Sequence, residues 1–290
     1  MTQQMADEDP GSDLYYAEKC AAALYADSPQ GRREARDQLM QRRYDNWLLG
    51  QEEWRLPVLP FYWMHPDVIR SGIFCVAQAA GPPIEARLAT GMPGRPDIYY
   101  RGPRLTQTHL FVLLELLWYQ RGNPPGARFY ITARSFAIRQ LGWPDSSHST
   151  KRLRDVLLDL RGAVLVYAWE NGSRETAVTL LDGYDRVDDV MQLRMHPSIR
   201  RLFTRYVTHI PRDLLRRVKP GLQSALLVHF LASKCATKFE LSRLRECVGS
   251  NTRDMREFGR SVRNALAKLK EVGAIKDYRI YYGAVFIEKK

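Results

Sequence analysis

SNTRDMREFGRSVRNALAKLKEVG, residues 250–273, sets apolar and cationic side chains on opposite sides of one helix. Met255, Phe258, Val262, Leu266, Leu269 and Val272 recur at steps of three and four, which stacks them in a single stripe. At about 100° per residue the far side carries Arg253, Arg256, Arg260, Asn264 and Ala267, with Arg263 next to them. Asn251 or Thr252 is placed to cap the start, and Gly273 stands where a left-handed residue ends a helix. Arg and Asn carry the forked donors that match guanine and adenine edges in the major groove. Downstream, AIKDYRIYY (274–282) and AVFIEKK (284–290) alternate around Gly283 as two strands. Helix then hairpin is the outline of a winged helix. By itself the helix also fits an ordinary solvated basic face; the hairpin and the helix before it favour the DNA reading.

Working backwards, residues 211–218 and 221–233 read as helices, TKFE (237–240) as a short strand and 241–248 as a helix. A similar order precedes it. LTQTHLFVLLELLWY (105–119) is apolar nearly all round and belongs in a core. RFYIT (128–132) is a short strand, a helix opens at Thr132 or Ala133 and ends at Leu141-Gly142, and another spans 149–162. That helix turns Leu153, Val156, Leu157 and Leu160 inward and His148, Lys151, Arg152 and Asp155 outward. AVLVYAWE, Asn171-Gly172 and SRETAVTLLD then form a hairpin signal, since Asn-Gly suits a type I′ turn. Residues 105–181 and 211–290 thus share a pattern without sequence identity. DDVMQLRMHPSIRRLF (188–203) reads as a strand running into a helix near Pro197. The expected fold class is α+β: two tandem winged-helix domains, mostly helical with β-hairpin wings, preceded by a helical N-terminal extension. The divisions are 1–54 for an acidic tail and helical extension, 55–195 for the first domain with its lead-in, and 196–290 for the second.

Within the extension, 12–26 and 31–49 are helical and separated by Ser28-Pro29. Prolines 57, 60, 66, 82, 83, 93 and 96 rule out long helices in the lead-in, which should wrap the first domain with short strands such as GIFCVAQA and DIYYRG. Residues 1–30 carry a net −5, which leaves +17 on the remainder of a chain of net +12. A basic body fits a polyanion, most simply nucleic acid. No apolar run approaches the roughly 20 residues that span a bilayer. The acidic start is no signal peptide, so a bacterial cytoplasmic location is expected. Cys20, Cys75, Cys235 and Cys247 are far apart, with no C-x-x-C pair. The six histidines show no zinc-hydrolase spacing, no phosphate-cradling G-x-x-x-x-G-K-S/T is present, and no His cluster accompanies a nucleophilic Tyr. No metal, cofactor or enzymatic activity is expected.

DMREFGRSVRNALAKLKEVGAI, MQLRMHPSIRRLF, IYYRGPRLTQTHLFVLLELLW and, more loosely, LPVLPFYWMHPDVIRSGIF resemble plasmid replication initiators of the TrfA type, over roughly residues 55–280. The resemblance implies two winged-helix domains that bind repeated origin sequences (iterons), melt a nearby AT-rich segment and recruit host replication proteins: the replicative helicase, the host initiator or the sliding clamp. It also implies self-association in a monomer–dimer equilibrium. Gln107-Thr108-His109-Leu110-Phe111 has the shape of the clamp-docking motif of some members, but the core wants Leu110 and Phe111.

The leading expectation is an origin-binding initiator for double-stranded DNA. Arg253, Arg256, Arg260 and Asn264 would read bases from the second domain, with Arg263 on the same face. Ser147, His148, Lys151 and Arg152 would do so from the first. Arg174, Lys276 and Arg279 on the wings would touch phosphate, which fixes register without reading sequence. A winged-helix repressor shares this chemistry but favours palindromes over direct repeats. An adaptor gripping an acidic protein would bind duplex DNA weakly and without sequence preference.

Overall fold

Among the described residues of the computed structural model (61–76, 84–88, 97–120, 126–169, 174–197, 199, 208–233 and 236–289), these patterns resolve into fourteen strands and eight helices. All of them lie within one unit spanning Leu56–Lys290. In chain order they are β1 (Phe61–Met64), α1 (Pro66–Arg70), β2 (Phe74–Cys75), β3 (Ile84–Leu88), β4 (Asp97–Gly102), β5 (Leu105–Thr106), α2 (Gln107–Tyr119), β6 (Arg128–Thr132), α3 (Ala133–Arg139) and α4 (Ser147–Gly162). There follow β7 (Val164–Trp169), β8 (Arg174–Thr179), β9 (Gly183–Val187), β10 (Val190–Arg194), β11 (Thr208–Pro211), α5 (Arg212–Arg217) and α6 (Leu222–Ala232). Last come β12 (Lys238–Glu240), α7 (Leu241–Cys247), α8 (Met255–Glu271), β13 (Ile275–Tyr281) and β14 (Ala284–Lys289). The strand content makes this a mixed α+β fold rather than a mostly helical one.

The stripe of α8 behaves as its spacing requires. Phe258, Val262, Leu266 and Leu269 are buried, together with Ala265, and the helix packs on α6. Each such side chain contributes about 1.5–3 kcal/mol by leaving water. The N-cap is Asp254, whose carboxylate accepts from the Arg256 N–H at 2.8 Å, and not Asn251 or Thr252. Gly273 ends the helix at φ 75°, the left-handed conformation expected of it. β14 then pairs with both β13 and β12, in the order β12-β14-β13. The hairpin turns through Tyr282 (φ 45°) and Gly283 (φ 69°), where two consecutive left-handed residues match the twist of the strands.

The first half repeats this arrangement with a displacement. β6 precedes a short helix (α3) and a long one (α4), as β12 precedes α7 and α8. Its sheet partner, however, is β10, in the order β6-β10-β9. In one half Thr132 pairs with Val190 and the Ala133 N–H donates to the Asp189 carbonyl (2.8 Å). In the other Glu240 pairs with Ala284 and the Leu241 N–H donates to the Gly283 carbonyl (2.9 Å). The hairpin equivalent to β13–β14 is therefore β9–β10, turning at Asp188 (φ 55°). The expected hairpin, β7–β8, is present but joins a separate sheet, β3-β4-β7-β8. Its Asn171-Gly172 turn lies outside the described residues, as do the extension helices at 12–26 and 31–49 and most of the helix expected after Pro197.

The lead-in meets expectation in part: β3 and β4 join β7 and β8 of the first half in one sheet. β1 pairs antiparallel with β11 (Phe61 with Pro211, Met64 with Thr208), α1 packs on α6, and the Val76 N–H donates to the Val248 carbonyl at 2.9 Å. Residues 61–76 thus lie across both halves: β2 pairs in parallel with β5 (Phe74 with Leu105, Cys75 with Thr106), while β1 and α1 lie against the second half. DIYYRG is β4, but of GIFCVAQA only Phe74–Cys75 is strand among the described residues.

One buried charge fastens this crossing. Glu115, on the apolar helix α2, is 0% exposed. Its carboxylate accepts from the Tyr62 hydroxyl (2.5 Å), from Arg212 Nη2 (2.9 Å) and from Arg216 Nε (2.8 Å). Arg212 also donates to the Gln140 side chain at 3.0 Å and lies over the Trp118 ring at 4.7 Å. Burial and the Glu115 charge push the Tyr62 hydroxyl far above its ordinary pKa. The cluster ties α2 and β1 to α5, the first helix after β11.

Candidate nucleic-acid interface

With its apolar stripe committed to the core, α8 turns its other face to solvent. Arg253, Arg256, Arg260, Arg263, Asn264 and Ala267 are all exposed. No described carboxylate lies within 4 Å of the four guanidinium groups, although the helix has acids of its own. Toward its C-terminus the cations are neutralised: Lys268 pairs with Glu271 at 2.6 Å, and Lys270 with Asp277 at 2.8 Å. The unpaired charge is thus concentrated in the N-terminal two-thirds of the helix, where like charges repel and a polyanion is the natural counterion. Glu257 interrupts the row. It lies in the first turn, where its charge suits the helix dipole, and an exposed carboxylate there can accept from a cytosine amino group. The sequence reading passed over it because the arginines dominate that face.

On the hairpin, Arg279 is exposed on β13 opposite Phe286 of β14. Lys276 is exposed too, but its ammonium pairs with Glu288 on the neighbouring strand, so it presents less net charge than its sequence position suggested. At the tip Tyr281 and Tyr282 are 61% and 88% exposed, with ring centroids 4.0 Å apart.

The first half holds its candidates differently. Ser146 caps α4, accepting from the Ser149 N–H at 3.2 Å. Arg134 of α3 donates from Nε and Nη2 to Asp145, both at 2.7 Å, which fixes the turn leading into that cap. Ser147, His148 and Lys151 are exposed on the first two turns of α4. Arg152 is exposed as well, and its guanidinium lies 4.7 Å over the Trp143 ring and donates to the Thr108 hydroxyl at 3.0 Å. Arg154 and Arg161 are exposed cations that sequence reading did not single out. Arg174 opens β8, paired with Trp169 of β7, so it stands on the hairpin that belongs to the other sheet. The turn equivalent to the Tyr281–Gly283 tip carries Asp188 and Asp189, and acids there repel phosphate.

Gln107 to Phe111 is taken up by the interior. The Gln107 amide donates to the Phe74 carbonyl and accepts from the Ser224 hydroxyl at 3.0 Å, and Leu110 is buried. His109 accepts from the Thr106 N–H at 3.0 Å and lies 3.0 Å from Asp159; burial holds its pKa below the ordinary value against that carboxylate's pull. Among the described residues no cluster of His, Cys, Asp or Glu is arranged to hold a metal, and no helix is long and apolar enough to cross a membrane.

Fold and surface together define a mixed α+β protein whose described residues include an exposed cationic helix face without carboxylate partners. No protein-family model matches the chain, and no curated protein matches it in sequence. Solved structures do match. Domains 2 and 3 of RctB, a Vibrio replication initiator, align in a selenomethionine crystal structure with a TM-score of 0.53 and 15% identity, covering 78% of this chain and 99% of that one. A crystal structure of the RctB 155–483 fragment aligns with a TM-score of 0.52 and 13% identity, covering 77% and 96%. At such identities the likeness is one of fold. It is shared with the domains of a replication initiator and does not single out the TrfA type.

Proposed function

We propose that this protein is a replication initiator that binds double-stranded origin DNA through two winged-helix lobes, with α8 as the main reading helix. The observation that carries the reading is the face Arg253, Arg256, Arg260, Arg263 and Asn264: exposed, free of carboxylate partners and backed by a buried stripe. The fold shared with RctB domains 2 and 3 supports it. In this reading Arg260 and Asn264 address base edges, Arg279 addresses phosphate, and α4 offers Ser147, His148 and Lys151 to a second groove face roughly 34 Å along the duplex. The repeats bound are iterons in direct orientation, the surroundings are bacterial cytoplasm, and the helicase, host initiator or sliding clamp are recruited through other surfaces.

Selection of bound sites from random duplex DNA at two salt concentrations tests this. The expected outcome is a recurring motif in direct repeat, with log affinity falling linearly in log salt. Enrichment of palindromes bound by a stable dimer would instead identify a repressor. Binding that is weak and indifferent to sequence at physiological salt would leave the basic face to an acidic protein partner.

A further inference from the structure

Beside the N-terminal end of α8 a cavity of about 450 Å³ opens between the two halves of the fold. One wall comes from residues 72–75 and Arg104, the other from 245–253. Arg104, Arg245 and Arg253 all line it, and no described carboxylate pairs with any of them; Glu246 is its one acid. Arg245 donates to the Thr252 and Arg253 carbonyls at 3.4 and 3.3 Å, which fixes the loop leading into α8. The Arg104 Nε is buried with no hydrogen-bond partner. A buried donor on a charged group with nothing to bond is costly, and three guanidinium groups around one cavity repel each other. An anion in the space would offset the repulsion and offer acceptors to the cations around it.

The walls approach each other closely. A Cβ on Gly249, at φ 60°, would stand 2.5 Å from the Cys75 Cβ, so only glycine lets the two strands of chain touch there. Arg253, the first cation of the exposed face, is part of the cavity lining. None of this was legible from sequence, because Arg104 and Arg245 are 141 positions apart.

We propose that this cavity is a phosphate-binding site that receives one backbone phosphate of the bound duplex, at the point where the DNA passes from one lobe to the other. The proposal rests on the DNA-binding reading above. A phosphate oxygen would accept from Arg104 and Arg253, with Asn251 available as a further donor. Because the site touches both halves, it would set the register between the two groove faces without reading sequence.

The test is a scan in which each phosphate of a selected site is replaced, one at a time, by an uncharged methylphosphonate. For wild-type protein one position in the stretch between the lobes should weaken binding roughly tenfold or more. In Arg104→Gln that position should cost nothing further, the log–log salt slope should flatten by about one unit, and base preference should stay unchanged. Arg104→Lys should restore most of the slope. An unchanged methylphosphonate profile in Arg104→Gln, with the melting temperature kept, overturns the site. If instead millimolar inorganic phosphate protects wild type but not Arg104→Gln from heat while the scan is silent, the occupant is a free anion and the DNA assignment falls. A silent scan on protein that still selects its motif removes this inference alone. Loss of all selective duplex binding in wild type removes the functional reading along with it.

Discussion

Replacing Glu115 by Ala tests the argument that one buried carboxylate fastens the two halves. The side chain is fully buried, while those of Arg212 and Arg216 are 18% and 31% exposed. Removing the acid deletes three hydrogen bonds to a charged acceptor and leaves two guanidinium groups partly desolvated without a counterion. Breaking a buried pair from one side costs about 3–5 kcal/mol, and the water that reaches the partly exposed arginines places this case at the lower end. In a unit of this size that corresponds to a fall of about 6–15 °C in melting temperature. Urea denaturation followed by circular dichroism, with and without the substitution, supplies the measurement. Glu115→Gln should fall in between, because its amide donors face other donors. Should Glu115→Ala lose less than about 1 kcal/mol, the cluster would be incidental and the halves would be held by β1–β11 pairing and core packing alone.

Three further outcomes follow from the same geometry. Arg260→Ala should weaken binding to a selected site by about 1–3 kcal/mol and relax preference at one base pair, as read by competition against singly substituted sites. His229 is buried against Phe230 and Phe239, and burial, helped by the charges of Arg70, Lys289 and Arg243, holds its pKa at about 4. A folded-state pKa below the unfolded 6.5 stabilises fully above pH 6.5 and is lost as pH falls toward 4, about 3 kcal/mol in all. His229→Phe, if the ring is accommodated, should therefore flatten the stability curve between those limits, and a curve unchanged from wild type would refute the assignment. Tyr282→Gly should raise stability by up to about 1 kcal/mol, since a bulky residue at φ 45° is strained where glycine is not; a loss of stability would show that the exposed ring is held by contacts.

Local pattern carried the elements well and their pairing poorly. The α8 stripe, the strand Arg128–Thr132 and the four inward side chains of α4 follow from period alone, because burial on one face imposes that period whatever lies opposite. Which strand completes a sheet is decided by contacts far along the chain. Nothing near Asn171-Gly172 says that β7–β8 joins β4 while β9–β10 takes the position beside β6. A signal for Glu115 was present: a single acid in a helix apolar all round must find cations, and the arginines at 212 and 216 were candidates. The exposed cations of α8 were readable because their opposites on the helix are so plainly core. Arg152 faces outward as its period requires; its contacts with Trp143 and Thr108 depend on residues distant in sequence and were not readable from the period.

The pairing of β1 with β11 also dictates an order of events during synthesis. The two strands are separated by roughly 150 residues, so at 5–20 residues per second β1 leaves the ribosome on the order of 10–30 s before its partner exists. Through that interval its edge has no native strand to pair with, although Glu115, the acceptor of the Tyr62 hydroxyl, follows only 53 residues later, and the nascent chain is exposed to wrong strand partners. Pairing of β1 must wait for residue 211, so the early strand is an unpaired edge that needs protection until its partner emerges.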